Sequence, residues 1–288
     1  MTGRASHRRA GPRTLLGRSG FLLLVVLVLL FTLFPFYWAV NASLLPQAKL
    51  FATPAVYVPV PPTVEWYEKV WKDTGFVRAL RNSGIVAVST TVLALSAGAM
   101  AAYALARFRM RGRRITLGLI LAMTMFPQIS VLGAMHQTIT ALGLYNRLGG
   151  LVLSYMILTL PLTVWVMSGF FGSLPRELEE SAYVDGASPF QTFWRIMLPL
   201  AVPGLAATGL LAFIAAWNEY LFAQSFTITE NTRTVPVVIA NFTGATIHET
   251  PWGTIMAACV VVTVPLVILV LIFQKQIVDG LTSGAVKE

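Results

Sequence analysis

The chain has 288 residues, 56% of them apolar and only 11% charged, and its mean hydropathy is +0.71. Charged residues fill about a quarter of positions in a soluble domain, so the composition excludes an ordinary water-soluble fold and points to the membrane. The formal net charge of +9 sits in short blocks beside apolar runs, with no basic stripe interleaved with aromatics, which argues against nucleic acid as a partner and reads instead as topology. One cysteine, Cys259, lies inside an apolar run, so neither an intrachain disulfide nor a cysteine metal site is available and a buried thiol is expected.

A helix needs about 20 mostly apolar residues to cross a hydrocarbon core of roughly 30 Å. Six runs qualify, at residues 20–40, 84–106, 115–135, 149–172, 201–223 and 254–275. The prediction is an all-α integral membrane protein: a basic N-terminal segment, 1–19, followed by a six-span transmembrane domain over 20–288. Arg4, Arg8, Arg9, Arg13 and Arg18 precede the first run, and Arg107, Arg109, Arg111, Arg113 and Arg114 follow the second. The positive-inside rule puts both blocks, and with an even number of spans both termini, in the cytoplasm. Arg78 and Arg81 on the outer side of the second run resist this topology, but five arginines in eight residues outweigh two.

The first run has the basic flank of a signal peptide, but its apolar part is long and Phe36, Tyr37 and Trp38 form an interfacial anchor, so an uncleaved span is expected. Residues 41–83, with Pro46, Pro54, Pro59, Pro61 and Pro62, read as a small external lobe with a helical piece near Val64 to Lys72. The second span is taken to open at Asn82-Ser83-Gly84; along it Ala94, Gly98, Ala102 and Ala106 recur every four residues, a stripe that lets another helix approach closely. Pro127, Pro161, Pro203 and Pro265 lie inside or at the ends of spans, where each removes a backbone donor and can kink a helix.

The least membrane-like stretch lies between the fourth and fifth runs. Ser173-Leu174-Pro175 reads as a helix start, and Glu177, Glu179 and Glu180 would favour the positive end of the dipole. Gly186 supplies the residue a helix C-terminus prefers. Ser188-Pro189-Phe190-Gln191 is a capping box with proline at the first helical position, so a second helix follows at once and runs to Pro199. The expected product is a helix, a glycine corner and a helix at the membrane surface. A lipid-lying helix carries Lys and Arg on its polar face, whereas this one carries Glu177, Glu179, Glu180 and Asp185 against Arg176 and Arg195, which favours a basic protein partner.

Glu180-Ser181-Ala182-Tyr183-Val184-Asp185-Gly186-Ala187, then eight residues, then Ile196-Met197-Leu198-Pro199, resembles the EAA loop of permease subunits of bacterial ABC importers, with Ser181 in place of the first alanine. The resemblance extends along nearly the whole chain. Gly280-Leu281-Thr282-Ser283-Gly284-Ala285-Val286-Lys287 is similar to the C-terminal tail of the second permease in carbohydrate importers of the maltose and trehalose type, and Ala216-Trp217-Asn218-Glu219-Tyr220 and Asn241-Phe242-Thr243-Gly244 are similar to actinobacterial members. It implies that the helix from Glu179 to Ala187 inserts into a cleft of an ATPase subunit, with Glu180, Ala182, Asp185, Gly186 and Ala187 as docking residues. Ser181 keeps the small size, and Ile196, Leu198 and Pro199 fix the second helix. The tail from Gly280 to Gly284 would reach the ATPase interface. The implied assembly has a second permease, two ATPase copies that bind ATP and Mg, and an extracytoplasmic sugar-binding protein, all at a bacterial cytoplasmic membrane.

No phosphate loop of the type Gly-x-x-x-x-Gly-Lys-Ser/Thr occurs, so energy must come from a partner. His7, His136 and His248 are scattered, no hydrolase or metalloprotease motif is present, and neither a metal site nor an enzyme is supported. Glu219 is the one clear carboxylate inside a span and a functional hypothesis by default. With Trp217, Asn218 and Tyr220 it offers the aromatic faces and hydrogen-bonding groups a neutral sugar requires. The competing reading has Glu219 capping or pairing between helices, and consecutive residues cannot all face one path. The reading adopted is a non-catalytic permease subunit of a disaccharide importer, trehalose or maltose-like. An ion-coupled secondary transporter is the alternative, and it would leave the acidic loop without a role.

Overall fold

The computed structural model describes residues 12–242 and 251–282, all helix and loop with no strand among them. Four helices are long and apolar enough to cross a membrane, Gly20–Leu44, Thr74–Arg107, Leu148–Ser173 and Trp252–Gln276. Two bent pairs, Arg113–Thr124 with Gln128–Ala141 and Pro189–Leu200 with Val202–Trp217, bring the candidate crossings among the described residues to as many as six. The helices are numbered α1 (Pro12–Leu44), α2 (Gln47–Leu50), α3 (Glu65–Lys72), α4 (Thr74–Arg107), α5 (Arg113–Thr124), α6 (Gln128–Ala141) and α7 (Leu148–Ser173). There follow α8 (Glu177–Val184), α9 (Pro189–Leu200), α10 (Val202–Trp217), α11 (Leu221–Phe226), α12 (Val235–Ala240) and α13 (Trp252–Thr282).

One compact unit comprises the chain up to Lys69 together with Pro251–Val260. The most apolar window of its α1 buries nothing inside the chain, so its leucines, valines and phenylalanines are left for lipid or another subunit. The polar end of α1 holds the proline-rich segment that follows it. Tyr37 donates its hydroxyl to the Tyr57 carbonyl, the Trp38 ring meets Tyr57 edge-on at 5.9 Å, and Asn41 Nδ2 donates to the Val56 carbonyl at 2.8 Å. Trp66 on α3 donates Nε1 to the Leu45 carbonyl at 2.7 Å, and a Cβ at Gly253 would stand 2.3 Å from its ring. Glycine is therefore required where α13 begins. Cys259, expected to be buried, is half-buried.

The second unit contains Val70 to the end of the described 242 and the remainder of α13. Its centre is α4, against which α7 and α10 pack. The small-residue stripe makes this possible: Ala94, Gly98, Ala102 and Ala106 are all buried, and a Cβ on Gly98 would lie 2.5 Å from Thr163 Cγ2 of α7. Gly204 meets the Phe170 ring and Gly209 meets Leu95 in the same way, which closes α10 onto both neighbours.

Three expectations change. The helix of the second span starts at Thr74, capped by Asp73, whose Oδ1 accepts from the Gly75 and Phe76 amides at 2.8 and 3.1 Å. Asn82 and Ser83 are buried inside it. Asn82 Nδ2 donates to the carbonyls of Asn231 and Arg233, and Ser83 Oγ accepts from the Val235 amide. Arg78 likewise donates to Asn231 Oδ1, a local contact that accounts for its presence there. The third run is not one rod: Pro127 divides α5 from α6, which meet at 93°. The fifth run ends as a helix at Trp217, and its remainder forms the separate α11. Pro161 and Pro265, by contrast, lie inside unbroken helices.

Candidate functional site

The polar stretch between α7 and α10 folds into the expected corner. The Ser173 hydroxyl turns back to the Phe170 carbonyl instead of capping α8, so the start of α8 is set by backbone, with the Glu179 and Glu180 amides bonded to the Arg176 carbonyl. Its end is a Schellman turn: the Ala187 amide reaches the Ala182 carbonyl at 2.9 Å, the Gly186 amide reaches Tyr183 at 3.1 Å, and Gly186 has φ +80°. Ser188 and Gln191 then form a reciprocal capping box with Pro189 in the first turn of α9. Residues Phe193–Met197 of α9 widen into a π turn ahead of Pro199, which has no amide to donate, and at Ala201 the chain bends by 77° into α10.

The faces of α8 divide sharply. Glu179 and Ala182 are buried, while Glu180, Ser181, Val184, Asp185 and Gly186 are exposed and Ala187 is half-buried. Val184 is 86% exposed, with Tyr183, Phe190 and Trp194 also open, so the outward surface mixes carboxylates with bare apolar groups. Of the second-helix residues, Ile196 and Leu198 are half-buried and Pro199 exposed.

Ala182, expected to dock, is turned inward at 4% exposure, and Glu179 is a second correction to the sequence reading, which placed it among outward-facing groups. Its side chain is 10% exposed and its Oε1 lies 3.5 Å from Nε of Arg107, itself 4% exposed, at the last turn of α4. The guanidinium also donates Nη2 to the Leu174 carbonyl at 2.8 Å, tying the end of α7 to the same point. Tyr103, one turn before Arg107, faces Glu179 and Tyr183 with its hydroxyl, and its ring sits among Phe108, Phe171 and Phe193 at centroid distances of 5.9, 5.7 and 5.1 Å. Sequence reasoning missed Tyr103 and Arg107. The available signal is their i, i+4 spacing, which puts them on one face of α4; in sequence Arg107 is one of a block of charges whose density points to topology.

Around the break after α10, the four candidate path residues alternate. Trp217 and Glu219 are buried, whereas Asn218 and Tyr220 are exposed. Glu219, 6% exposed, turns its carboxylate onto the first turn of α11: Oε1 accepts from the Phe222 amide at 2.8 Å and Oε2 from the Ala223 amide at 3.1 Å. Two orphan amides are thereby satisfied where one helix ends and the next begins. Tyr155 of α7 also faces this carboxylate. Past the end of α11, Asn146, in left-handed conformation with φ 57°, donates its amide to the Phe226 carbonyl at 3.0 Å and gathers the 228–232 loop, its Oδ1 accepting from Ile228, Thr229 and Thr232. Glu219 thus holds the break together, the capping role of the two weighed from sequence.

Gly280, Leu281 and Thr282 lie in the last turn of α13; Ser283 and Gly284 are outside the described residues, as are Thr243 and Gly244. No group of three or more His, Cys, Asp or Glu arranged for a metal ion occurs among the described residues.

Several apolar helices, straight and bent, interrupted by an acid-flanked helical corner, define the class as a multi-pass membrane protein. The family described as "Binding-protein-dependent transport system inner membrane component" matches residues 94–283, from the small-residue stripe through both sites, and the chain belongs to it: a multi-pass, non-catalytic component of the inner membrane. Its relatives include the trehalose transport system permease protein SugB of Mycobacterium tuberculosis (strain CDC 1551 / Oshkosh), 42% identical over 91% of this chain and 94% of that one. The trehalose/maltose transport system permease protein MalG of Thermococcus litoralis is 43% identical over the same shares, and the inner membrane ABC transporter permease protein YcjP of Escherichia coli (strain K12) is 34% identical over 94% and 97%. Among solved structures, a bacterial ABC transporter involved in the import of the acidic polysaccharide alginate has a chain with TM-score 0.79 at 24% identity, covering 94% of this chain and 99% of that one, a likeness of fold.

Proposed function

We propose that this chain is one of two permease subunits of an ATP-driven sugar importer, that its α8–α9 corner docks on an ATPase subunit, and that its cargo is a disaccharide of the trehalose or maltose kind. The observation that carries the docking is the division of α8: Glu179 and Ala182 hold it to the chain, leaving Glu180, Ser181, Val184, Asp185 and Gly186 free for a partner. Carboxylates mixed with exposed apolar groups suit a protein cleft with basic residues better than anionic lipid. The orientation with both termini and this corner in the cytoplasm, where ATP is, follows from the same reading, with the tail from Gly280 to Gly284 near the ATPase. The cargo class is inferred from two relatives above 40% identity, both named for trehalose transport.

ATP and Mg belong to the ATPase copies, and sugar is delivered by an external binding protein. Closure of the ATPases moves the docked helix, and the bundle exchanges access from one side to the other. For the path, Asn218 and Tyr220 are the accessible members of the 217–220 group, while Trp217 and Glu219 act from behind as packing and cap. Glu219 is committed to two amides, which argues against its serving as the open intramembrane carboxylate that an ion-coupled carrier would use.

The test is reconstitution of the whole assembly in proteoliposomes with measurement of binding-protein-dependent ATPase stimulation across a panel of sugars. Stimulation by an α-linked disaccharide is expected; none by any sugar would sink the cargo assignment. A Cβ at Gly186 meets nothing within 4 Å, so Gly186→Arg projects into whatever docks there, and Gly186→Asn, which tolerates the positive φ with less bulk, is the control for backbone strain. Gly186→Arg should abolish ATPase binding, and intact binding and stimulation would refute the docking.

A further inference from the structure

The buried pair at the root of α8 does something the docking surface does not. We infer that Arg107 and Glu179 are positioning residues that join α8 to α4, so that movement imposed on the corner is delivered to the central helix of the bundle; this rests on the docking reading above. Four observations carry it. The two side chains are almost wholly enclosed, 4% and 10% exposed, so α8 is fastened to α4 through charge in a low-dielectric setting. One guanidinium serves three elements, since Arg107 lies at the end of α4, reaches Glu179 on α8 and donates to Leu174 at the end of α7. One turn before Arg107, Tyr103 turns its hydroxyl toward Glu179 and packs its ring against Phe108, Phe171 and Phe193, so α4 meets the same carboxylate a second time within an aromatic cluster. Finally, Nε and Oε1 stand 3.5 Å apart, and neither atom makes a hydrogen bond.

That last distance matters. A charged hydrogen bond between guanidinium and carboxylate closes to about 2.7–2.9 Å, and two buried charges that stop short of it retain a favourable shorter arrangement. The contact has room to tighten as α8 is displaced, which would carry that displacement to α4. A pair that served only to hold the fold would be replaceable by apolar side chains, because the cost of burying its charges is removed along with their attraction. Replacing this pair in the same way is expected to keep the fold and lose the transmission.

The experiment uses the full transporter in proteoliposomes, with ATPase co-purification, ATP hydrolysis and sugar uptake measured on wild type, Glu179→Gln, Arg107→Met with Glu179→Leu, and the charge-reversed pair Arg107→Glu with Glu179→Arg. The expected result for the apolar pair is an assembled complex that hydrolyses ATP while uptake per ATP falls about tenfold, within the range of ordinary coupling between sites. The reversed pair should recover part of that loss. An apolar pair that assembles and transports with wild-type uptake per ATP would show the contact to be structural and overturn the inference. Gly186→Arg separates this from failure of the docking reading: if it leaves the ATPase bound and stimulated, docking and the inference fall together. If it releases the ATPase while the apolar pair remains fully coupled, only the inference falls.

Discussion

Glu179 and Glu219 are both buried carboxylates in a protein with few charges, yet they solve different problems. Glu179 faces a full positive charge on another helix, and its partner is Arg107. Glu219 faces backbone, two amides of the short helix that follows it. The first joins elements distant in sequence and the second ends one helix and starts the next. Burial alone therefore does not mark a functional carboxylate; what it faces decides whether it acts between elements or within one.

The contrast can be broken by substitution. Removing only the acid at Glu179, as Glu179→Leu, leaves the Arg107 charge enclosed and should destabilise the second unit by about 3–5 kcal/mol, the usual penalty for an unpaired buried charge. Thermal unfolding of the purified assembly checks this, and Arg107→Met in the same chain should restore most of the loss. Glu219→Ala frees two buried amides and should cost less, about 1–3 kcal/mol, with faster proteolytic cleavage confined to the 218–232 region as the diagnostic. The glutamine variants sharpen the comparison further: Glu219→Gln keeps a carbonyl oxygen for one amide and should cost under about 1 kcal/mol, whereas Glu179→Gln still strands a charge. Equal costs at the two positions would remove the distinction. The smallest effect is expected from Gly98→Ala combined with Thr163→Ser. Gly98→Ala alone forces a Cβ to 2.5 Å from Thr163 Cγ2 and should cost about 1–3 kcal/mol, while the serine removes that methyl and returns much of it.

Much of the corner was legible because its signals are local. A serine three residues before glutamine with proline between, and a glycine at a helix end, determine capping geometry within one turn, and the structure has both. The Ala94 to Ala106 stripe was legible for the same reason: a period of four on a helix places all its members on one face. The inward turn of Glu179 was not. Along the chain it is one of a run of similar acids, and what selects it is Arg107, brought close only by the packing of α4 against α7. The break after Trp217 also escaped, since no proline or glycine marks it. It is made by a side chain competing for backbone amides, and a capping carboxylate has the same letter as one lining a path. Pro127 announced a bend, but whether a proline kinks or divides a helix depends on its surroundings, as the unbroken Pro161 shows.

The corner at Gly186 carries one more consequence. A Cβ there would meet no atom within 4 Å, yet φ is +80°. Room is not what the position demands; it demands a mirror-image backbone. An L-alanine should therefore be strained by roughly 1–2 kcal/mol although it touches nothing, asparagine should be the mildest natural replacement, and a D-alanine introduced by chemical ligation should sit there without strain. Chirality at a single α-carbon, more than size or polarity, governs which residues this joint accepts.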